Sequence, residues 1–458
     1  VFNQRVGTGN KKSAWQLSSS LINFMALVTL VTSILIIIFA EPILRYLIAP
    51  GLSESGMALA TSMMRVIAVN PFLFAIATVI ASMQQAVGRF AFYALAPAIY
   101  NVGIIIGALF FTQGITLFGV EVFEGGIMGV ALGVVLGSVM QLVVSSVGLM
   151  GLGFDYELKI FWKNKGFRQV LRLLPPRSID QGMDYGVGLV EMNLASRMTE
   201  GTIRAYQQAS SLHMVPINLI GVAISTAAFP KMAERLSQGR PDLFRSELQT
   251  ILRVIIWIAL PVSMITYFTR GYLVNFINNG GDPLMASLLG ILVVAILFRS
   301  IYHIAARSFY AQQDTKTPLY ISIAAISLNI VLAVWFTFTL ELGAAGLAAA
   351  QSIVAAVEIG ILFMVMARRI PGLFDKVFWS SILRMASATG LMALFTYLMV
   401  TLLPLGAGDN SFFSSFPKFC VIVFVSITAY VMICHMFKLK ESQPVISRVL
   451  GLFFGKMR

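Results

Sequence analysis

Charge is scarce in this sequence. Asp, Glu, Lys and Arg make up 12% of its 458 residues, about half the ~25% usual in soluble domains. Hydrophobic residues make up 58%, and mean hydropathy is +0.84. A globule of this size cannot coat itself with so few polar groups, so most of its apolar surface faces lipid, which excludes a soluble enzyme. Cysteine is nearly missing too: Cys420 and Cys434 are the two present. They fall on one expected helix about 21 Å apart, too far for a disulfide between them. With three histidines in the chain, there is no His-Glu-x-x-His run and no zinc-type spacing, so metal-assisted catalysis has no support. Acidic residues are outnumbered 20 to 33, giving a net charge of +13 and a pI near 9.8. Basic flanks of membrane spans account for that excess without nucleic acid, which is not expected as a partner.

What the sequence does have is long apolar runs. Spans are expected at 16–39, 57–87, 94–111, 126–150, 176–199, 203–228, 249–269, 284–310, 317–339, 343–367, 377–403 and 413–437, each long enough to cross a bilayer. The fold class that follows is an all-α polytopic membrane protein with twelve helices. Alternate connections hold 23 basic residues, among them Arg89, Lys159, Lys231, Arg245, Lys316, Arg369 and Lys438, against five on the other side: Arg45, Arg197, Arg204, Arg270 and Lys418. The positive-inside rule then places both ends of the chain in the cytoplasm. Two inside connections, Gly153 to Leu174 and Phe229 to Gln249, mix aromatic and basic residues and are expected to lie along the cytoplasmic membrane surface.

The chain also repeats itself. Gln84, Gln85 and Asn101 recur as Gln312, Gln313 and Asn329 at a constant offset of 228, and Gly126 and Gly129 recur as Gly343 and Gly346 at 217. Arg89 and Lys316 both fall inside, so the halves form a parallel repeat about the membrane normal. The expected organisation is an N-terminal lobe at 1–152, an amphipathic linker at 153–175, a C-terminal lobe at 176–367, two extra helices at 368–437 and a cytoplasmic tail at 438–458. The offset predicts two further helices ahead of Val1, completing six, six and two, fourteen in all. The stretch through Lys12 has no signal-peptide core, and the natural start is expected upstream.

Few motifs survive scrutiny. Gly7, Gly9, Lys11, Lys12 and Ser13 have the wrong spacing for a phosphate loop. Gly129, Gly133 and Gly137 recur every four residues inside a span, a pattern for close helix packing. The span from Pro176 is more informative: Arg177, Asp180, Asp184 and Glu191 fall within a wedge of about 60°. Charge at the centre of a span costs at least ~2.5 kcal/mol per residue, so this stripe faces water, a partner charge or a polar substrate. Asp184 and Glu191 have no basic residue in register; Arg177 and Arg204 are also explicable as ends that snorkel. On the next span Arg204, Gln207, Gln208, Ser211 and Asn218 share a wedge about 100° wide, with His213 opposite. Arg65, Arg299 and His303 are further candidates, as structural pairs or cavity lining. Asn101 and Asn329 suggest a shared packing role, with cation coordination by the amide oxygen as the alternative.

The run Phe309, Tyr310, Ala311, Gln312, Gln313, Asp314, Thr315, Lys316, Thr317, Pro318 resembles the FYAxxDxxTP signature of the MurJ/MviN lipid II flippases, within the multidrug/oligosaccharidyl-lipid/polysaccharide exporter superfamily. Ala96, Pro97 and Asn101 after Arg89 and Phe90, Ala49 to Gly51, and Phe229 to Lys231 extend the resemblance along the chain. It implies two six-helix lobes plus two C-terminal helices. It further implies movement of an undecaprenyl-diphosphate-linked glycopeptide from the inner to the outer leaflet of the bacterial cytoplasmic membrane, by alternating access around a basic cavity. The site expected from residues and resemblance together comprises Arg177, Asp180, Asp184, Glu191, Arg204, Gln208, Ser211, Arg65, Arg299 and His303.

The sequence departs from the family pattern in places. Ser211 stands where the family usually has an arginine, with Arg204 two turns earlier on the same face, about 10.5 Å away. A family-type cation site falls among the spans holding Asp184, Asn329 and Ala333, where Ala333 lacks the acidic group. No cofactor is expected; coupling to the membrane potential or a monovalent cation stays open. Membrane lipids and cell-wall synthesis proteins are the implied partners. The rival functions are export of another lipid-linked oligosaccharide or of a cationic drug, and a transport-inactive scaffold for cell-wall synthesis.

Overall fold

The computed structural model describes residues 11–87, 89–117, 120–199, 201–406, 408–409 and 411–443; at 11, 86, 90, 115–117, 120–122, 173, 175–181 and 183–184 it describes the backbone alone. Two compact units divide the chain, 1–189 and 190–458. Among the described residues, eleven helices are long and apolar enough to cross a membrane, and each coincides with an expected span. The remaining expected span, 176–199, overlaps a longer helix, Lys165–Ser196, and runs three residues past its end. The chain is a multi-pass membrane protein; among the described residues the regular structure is helical apart from one hairpin, Ile115–Leu117 paired antiparallel with Val120–Phe123.

The first unit carries α1 (Lys11–Ile38), α2 (Glu54–Ile67), α3 (Asn70–Ala86), α4 (Phe90–Leu109), α5 (Met128–Val147) and most of α6 (Lys165–Ser196). Ser53 caps α2 by accepting from the Gly56 amide at 3.3 Å, and Pro71 opens α3 in the first turn, where its missing N–H costs nothing. Packing of α4 on α5 is backbone on backbone. A Cβ on Gly133 would come 2.5 Å from Gly107 Cα, and one on Gly103 would come 2.3 Å from Gly137 Cα. Every fourth residue is glycine because no side chain fits there. Ser138 donates to the buried Asn70 amide oxygen at 3.0 Å, and Gln84 bonds the Ser145 carbonyl, tying α3 to α5.

The two amphipathic connections pack differently. Residues 153–164 fold back onto α1: Asn23 Nδ2 donates to the Glu157 carbonyl at 2.8 Å and the Lys159 carbonyl at 3.0 Å. Trp15 meets Phe154 edge to face, and Phe24 meets Trp162 and Phe167. Part of the segment's aromatic side thus covers its own unit, while Tyr156 and Trp162 stay 47% and 56% exposed. Phe229 to Gln249 is no separate surface segment, since it consists of the ends of two helices, α8 (Ala223–Ser237) and α9 (Pro241–Ile277). Met232, Phe244 and Leu248 are buried between them, and Lys231 pairs with Glu247 at 2.8 Å. Their apolar faces find each other instead of lipid.

The second unit continues from the end of α6 through α7 (Thr202–Ile217), α8, α9, α10 (Pro283–Ala311), α11 (Lys316–Val334), α12 (Ala344–Arg369), α13 (Lys376–Leu402) and α14 (Phe412–Met436). Asp282, Asp375 and Ser411 cap α10, α13 and α14 by accepting amide hydrogens of the first turn. A core of Leu252, Ile255, Ile304, Phe309, Leu362, Met366, Met385 and Met392 runs through α9, α10, α12 and α13. The last two helices pack on α9, where Trp257 Nε1 donates to Cys434 Sγ at 3.3 Å and Tyr430 donates to the Trp257 carbonyl at 2.9 Å. Cys434 is buried and Cys420 exposed, both as free thiols.

Candidate functional site

Polar chemistry in the second unit collects in two places inside the apolar bundle and one at its end. In the first, α6 brings Glu191 to α11, where Asn329 Nδ2 donates to Glu191 Oε1 at 3.2 Å. Glu191 is 7% exposed and Asn329 5%. The other amide atom, Asn329 Oδ1, is buried with no hydrogen-bond partner among the described residues, and the buried Tyr206 hydroxyl of α7 lies beside the same carboxylate. The carboxylate and the unpartnered amide oxygen are the oxygen acceptors of this buried place. Asn101, the repeat equivalent of Asn329, is exposed, so the two asparagines do not share one packing role. Ala333, one turn from Asn329, is buried and supplies no ligand.

The second place joins three helices. Arg299 of α10 pairs with Glu358 of α12 at 2.8 Å. The other Glu358 oxygen accepts from Ser322 of α11 at 2.9 Å, and the Tyr302 and Ser322 hydroxyls lie 2.9 Å apart. Glu358 is 2% exposed and the Arg299 side chain 33%. The arginine is thus anchored at one end and reaches solvent-accessible space at the other. His303 is half-buried with its ring against Tyr302 at 5.8 Å, so the arginine's partner is Glu358 and not its neighbour on the same face. An acidic residue amid the 343–367 apolar run was itself the signal for Glu358, and the sequence reading passed over it.

The polar wedge of α7 is its open side. Arg204, Gln207, Ser211 and Asn218 are exposed, whereas His213 is buried on the opposite side. Arg204 is 67% exposed and 3.8 Å from Asp282, too loose to fix it. Gln208 accepts from Asn278 Nδ2 at 3.1 Å, and Ser211 donates back to the Gln207 carbonyl at 2.8 Å. Gly221, in a wide turn at Asn218–Val222, lets the chain approach α10: a Cβ there would come 2.7 Å from Ser300 Cα. In the first unit, Arg65 is exposed and donates to the Ile37 carbonyl at 3.3 Å. The side chains of Arg177, Asp180 and Asp184 lie outside the described residues. No group of three or more His, Cys, Asp or Glu gathers as a metal site among the described residues.

The signature run forms the third cluster, where α10 turns into α11. Asp314 accepts from the Lys316 and Thr317 amides at 3.0 Å and from Thr317 Oγ1 at 2.6 Å. It also pairs with Arg369, the last residue of α12, at 2.5 Å. Arg369 in turn lies over the buried Phe309 ring, 5.1 Å from its centre. Hydrogen bonds from Thr317 and the Arg369 guanidinium hold the Asp314 carboxyl well below its ordinary value. Pro318 is buried in the first turn of α11, and Tyr310 is 39% exposed. The signature is thus a clamp that fixes three helix ends, with no reactive group in it.

A sequence profile of one family, lipid II flippase MurJ, matches residues 1–434. The chain is 25% identical over 450 residues to a Thermotoga maritima protein named probable lipid II flippase MurJ, covering 96% of this chain and 84% of that one. Among solved structures, it is similar to a lipid II flippase MurJ in an inward closed conformation, with a TM-score of 0.73 at 22% identity over 93% of this chain and 84% of that chain. It is also similar to an inward-facing multidrug resistance MATE family transporter of the MOP superfamily, with a TM-score of 0.68 at 16% identity over 82% and 85% of the two chains. Those two likenesses speak for the fold. The profile over nearly the whole chain settles kinship: the protein belongs to the lipid II flippase MurJ family, a family of transporters.

Proposed function

We propose that this protein carries a lipid-linked peptidoglycan precursor from the inner to the outer leaflet of the cytoplasmic membrane, by alternating access of its two units. The observation that carries the reading is the exposed polar face of α7, with Arg204, Gln207 and Ser211 in a chain that is 58% hydrophobic. A diphosphate-sugar headgroup needs cationic and hydrogen-bonding walls to pass through hydrocarbon, while its tail stays in lipid. The name of the Thermotoga maritima relative supports lipid II as the cargo. The charge count of 23 against five supports both ends lying in the cytoplasm.

Glu191 and Asn329 fit a monovalent cation, because the carboxylate supplies charge and the amide oxygen is unpartnered. A bound cation would supply a coupling charge; the residues themselves join α6 to α11 whether it is bound or not. The test is growth of a bacterium depleted of its own lipid II flippase. The chain restores growth and Arg204→Ala abolishes the rescue; rescue by Arg204→Ala at equal membrane levels removes that residue from the transport path.

A further inference from the structure

About 10 Å in from the turn that joins them, α9 and α10 leave a notch. Its volume is about 340 Å³, and Tyr267, Arg270, Pro283, Ala286, Ser287, Gly290 and Ile291 line it. Arg270 stands seven residues before the end of α9 and Gly290 seven after the start of α10, so both lie about 10.5 Å in from those ends. At 29 residues, α10 is about 43 Å long, which leaves about 6 Å beyond a ~30 Å hydrocarbon core at each end. Arg270 and Gly290 therefore stand about 4 Å inside the hydrocarbon edge, and the lining runs from there out to Pro283 at the helix end.

Arg270 is held for use at that level. Its guanidinium lies over the Tyr267 ring, 4.5 Å from the centre, and Nη1 donates to the Tyr267 carbonyl at 2.5 Å. No carboxylate pairs with it among the described residues. Gly290 makes the room: a Cβ there would stand 3.1 Å from Arg270 Cδ and 3.3 Å from Nε. Ser287 is exposed on the wall, and Val294 further along the same side of α10 is 47% exposed, continuing the notch as an apolar strip. A fixed cation with spare N–H groups, a hydroxyl and an apolar track beneath match a phosphate with acyl or prenyl chains.

We propose that this notch binds the phosphate of a lipid headgroup, on the outer leaflet if the orientation proposed above holds. The source is either a bulk phospholipid or the polyprenyl diphosphate of the cargo. Binding does not depend on transport; only the leaflet rests on that reading.

The test is native mass spectrometry of the full chain in detergent with phosphatidylglycerol, and with dioleoylglycerol as the phosphate-free control. The wild type should retain a phosphatidylglycerol that Arg270→Gln and Gly290→Leu each weaken about tenfold or more, while Arg270→Lys, keeping the charge, retains part of it. Dioleoylglycerol should show no such dependence. Displacement by farnesyl diphosphate, but not by inorganic phosphate, assigns the site to the cargo's diphosphate; no displacement by either assigns it to bulk phospholipid. Equal retention by wild type, Arg270→Gln and Gly290→Leu, or displacement by inorganic phosphate as readily as by farnesyl diphosphate, would overturn the proposal.

Discussion

Arg299→Met is the substitution whose cost the structure defines most closely. Glu358 is 2% exposed, with one oxygen 2.8 Å from Arg299 and the other 2.9 Å from Ser322. Methionine keeps much of the arginine stem but leaves the carboxylate with a single neutral donor inside an apolar bundle. Removing one partner of a buried ion pair costs about 3–5 kcal/mol, because the remaining charge is uncompensated. With the Arg299 side chain 33% exposed, the pair is incompletely enclosed by protein, and the expectation falls at the lower end, about 3 kcal/mol. At roughly 2–4 °C per kcal/mol for a unit of this size, the midpoint should drop by about 6–12 °C. Thermal unfolding in detergent, followed by tryptophan fluorescence with Trp257 as the local reporter, measures it. Adding Glu358→Gln to Arg299→Met should recover at least about half the loss, since no buried charge is left unpaired. A single-variant shift under about 2 °C, or a double variant less stable than the single, refutes the reasoning.

Other consequences are as specific. Gly133→Ala pushes a methyl into Gly107 of α4, 2.5 Å from its Cα, and should destabilise the first unit by about 1–3 kcal/mol, seen as earlier unfolding; Gly188→Ala, with nothing within 4 Å, should be silent. Glu191→Gln should leave the Asn329 contact but remove any monovalent-cation dependence of transport, whereas undiminished dependence would place the cation elsewhere. The Asp314 carboxyl titrates below its ordinary 3.8, so the clamp's contribution is complete above about pH 4 and is lost only as pH falls through the depressed value. Asp314→Asn should abolish that acid-dependent part of stability; an unchanged acid limb in the variant would show that Asp314 does not cause it.

The sequence spoke clearly where one face of a helix repeats. The glycine period at Gly129, Gly133 and Gly137 foretold close helix packing on α5, since the spacing is local and its physical cause is simple, while the partner, α4, is seen only in the structure. Apolar run length found the spans for the same reason. Partners distant in sequence were harder to see. Glu191 and Asn329 were both candidates, yet nothing in their own helices shows that they meet. Arg299 reads from its own helix as a structural pair or as cavity lining, and its partner Glu358 lies 59 residues further on, in α12. The connection from Phe229 to Gln249 misled because a mixed aromatic and basic segment suits a membrane surface and a helical hairpin equally, and only the packing of Phe244 and Met232 decides. Asp314 and Thr317 stood out as a signature without a mechanism, because Arg369, which completes the clamp, lies 55 residues further on.

The most direct test of the central claim is the amount of lipid II exposed on the outer leaflet. In cells depleted of their own flippase and expressing this chain, an externally added hydrolase that cleaves only surface-exposed lipid II should release headgroup at the level of undepleted cells. Release that stays at the depleted background, with the protein correctly inserted in the membrane, would contradict the account.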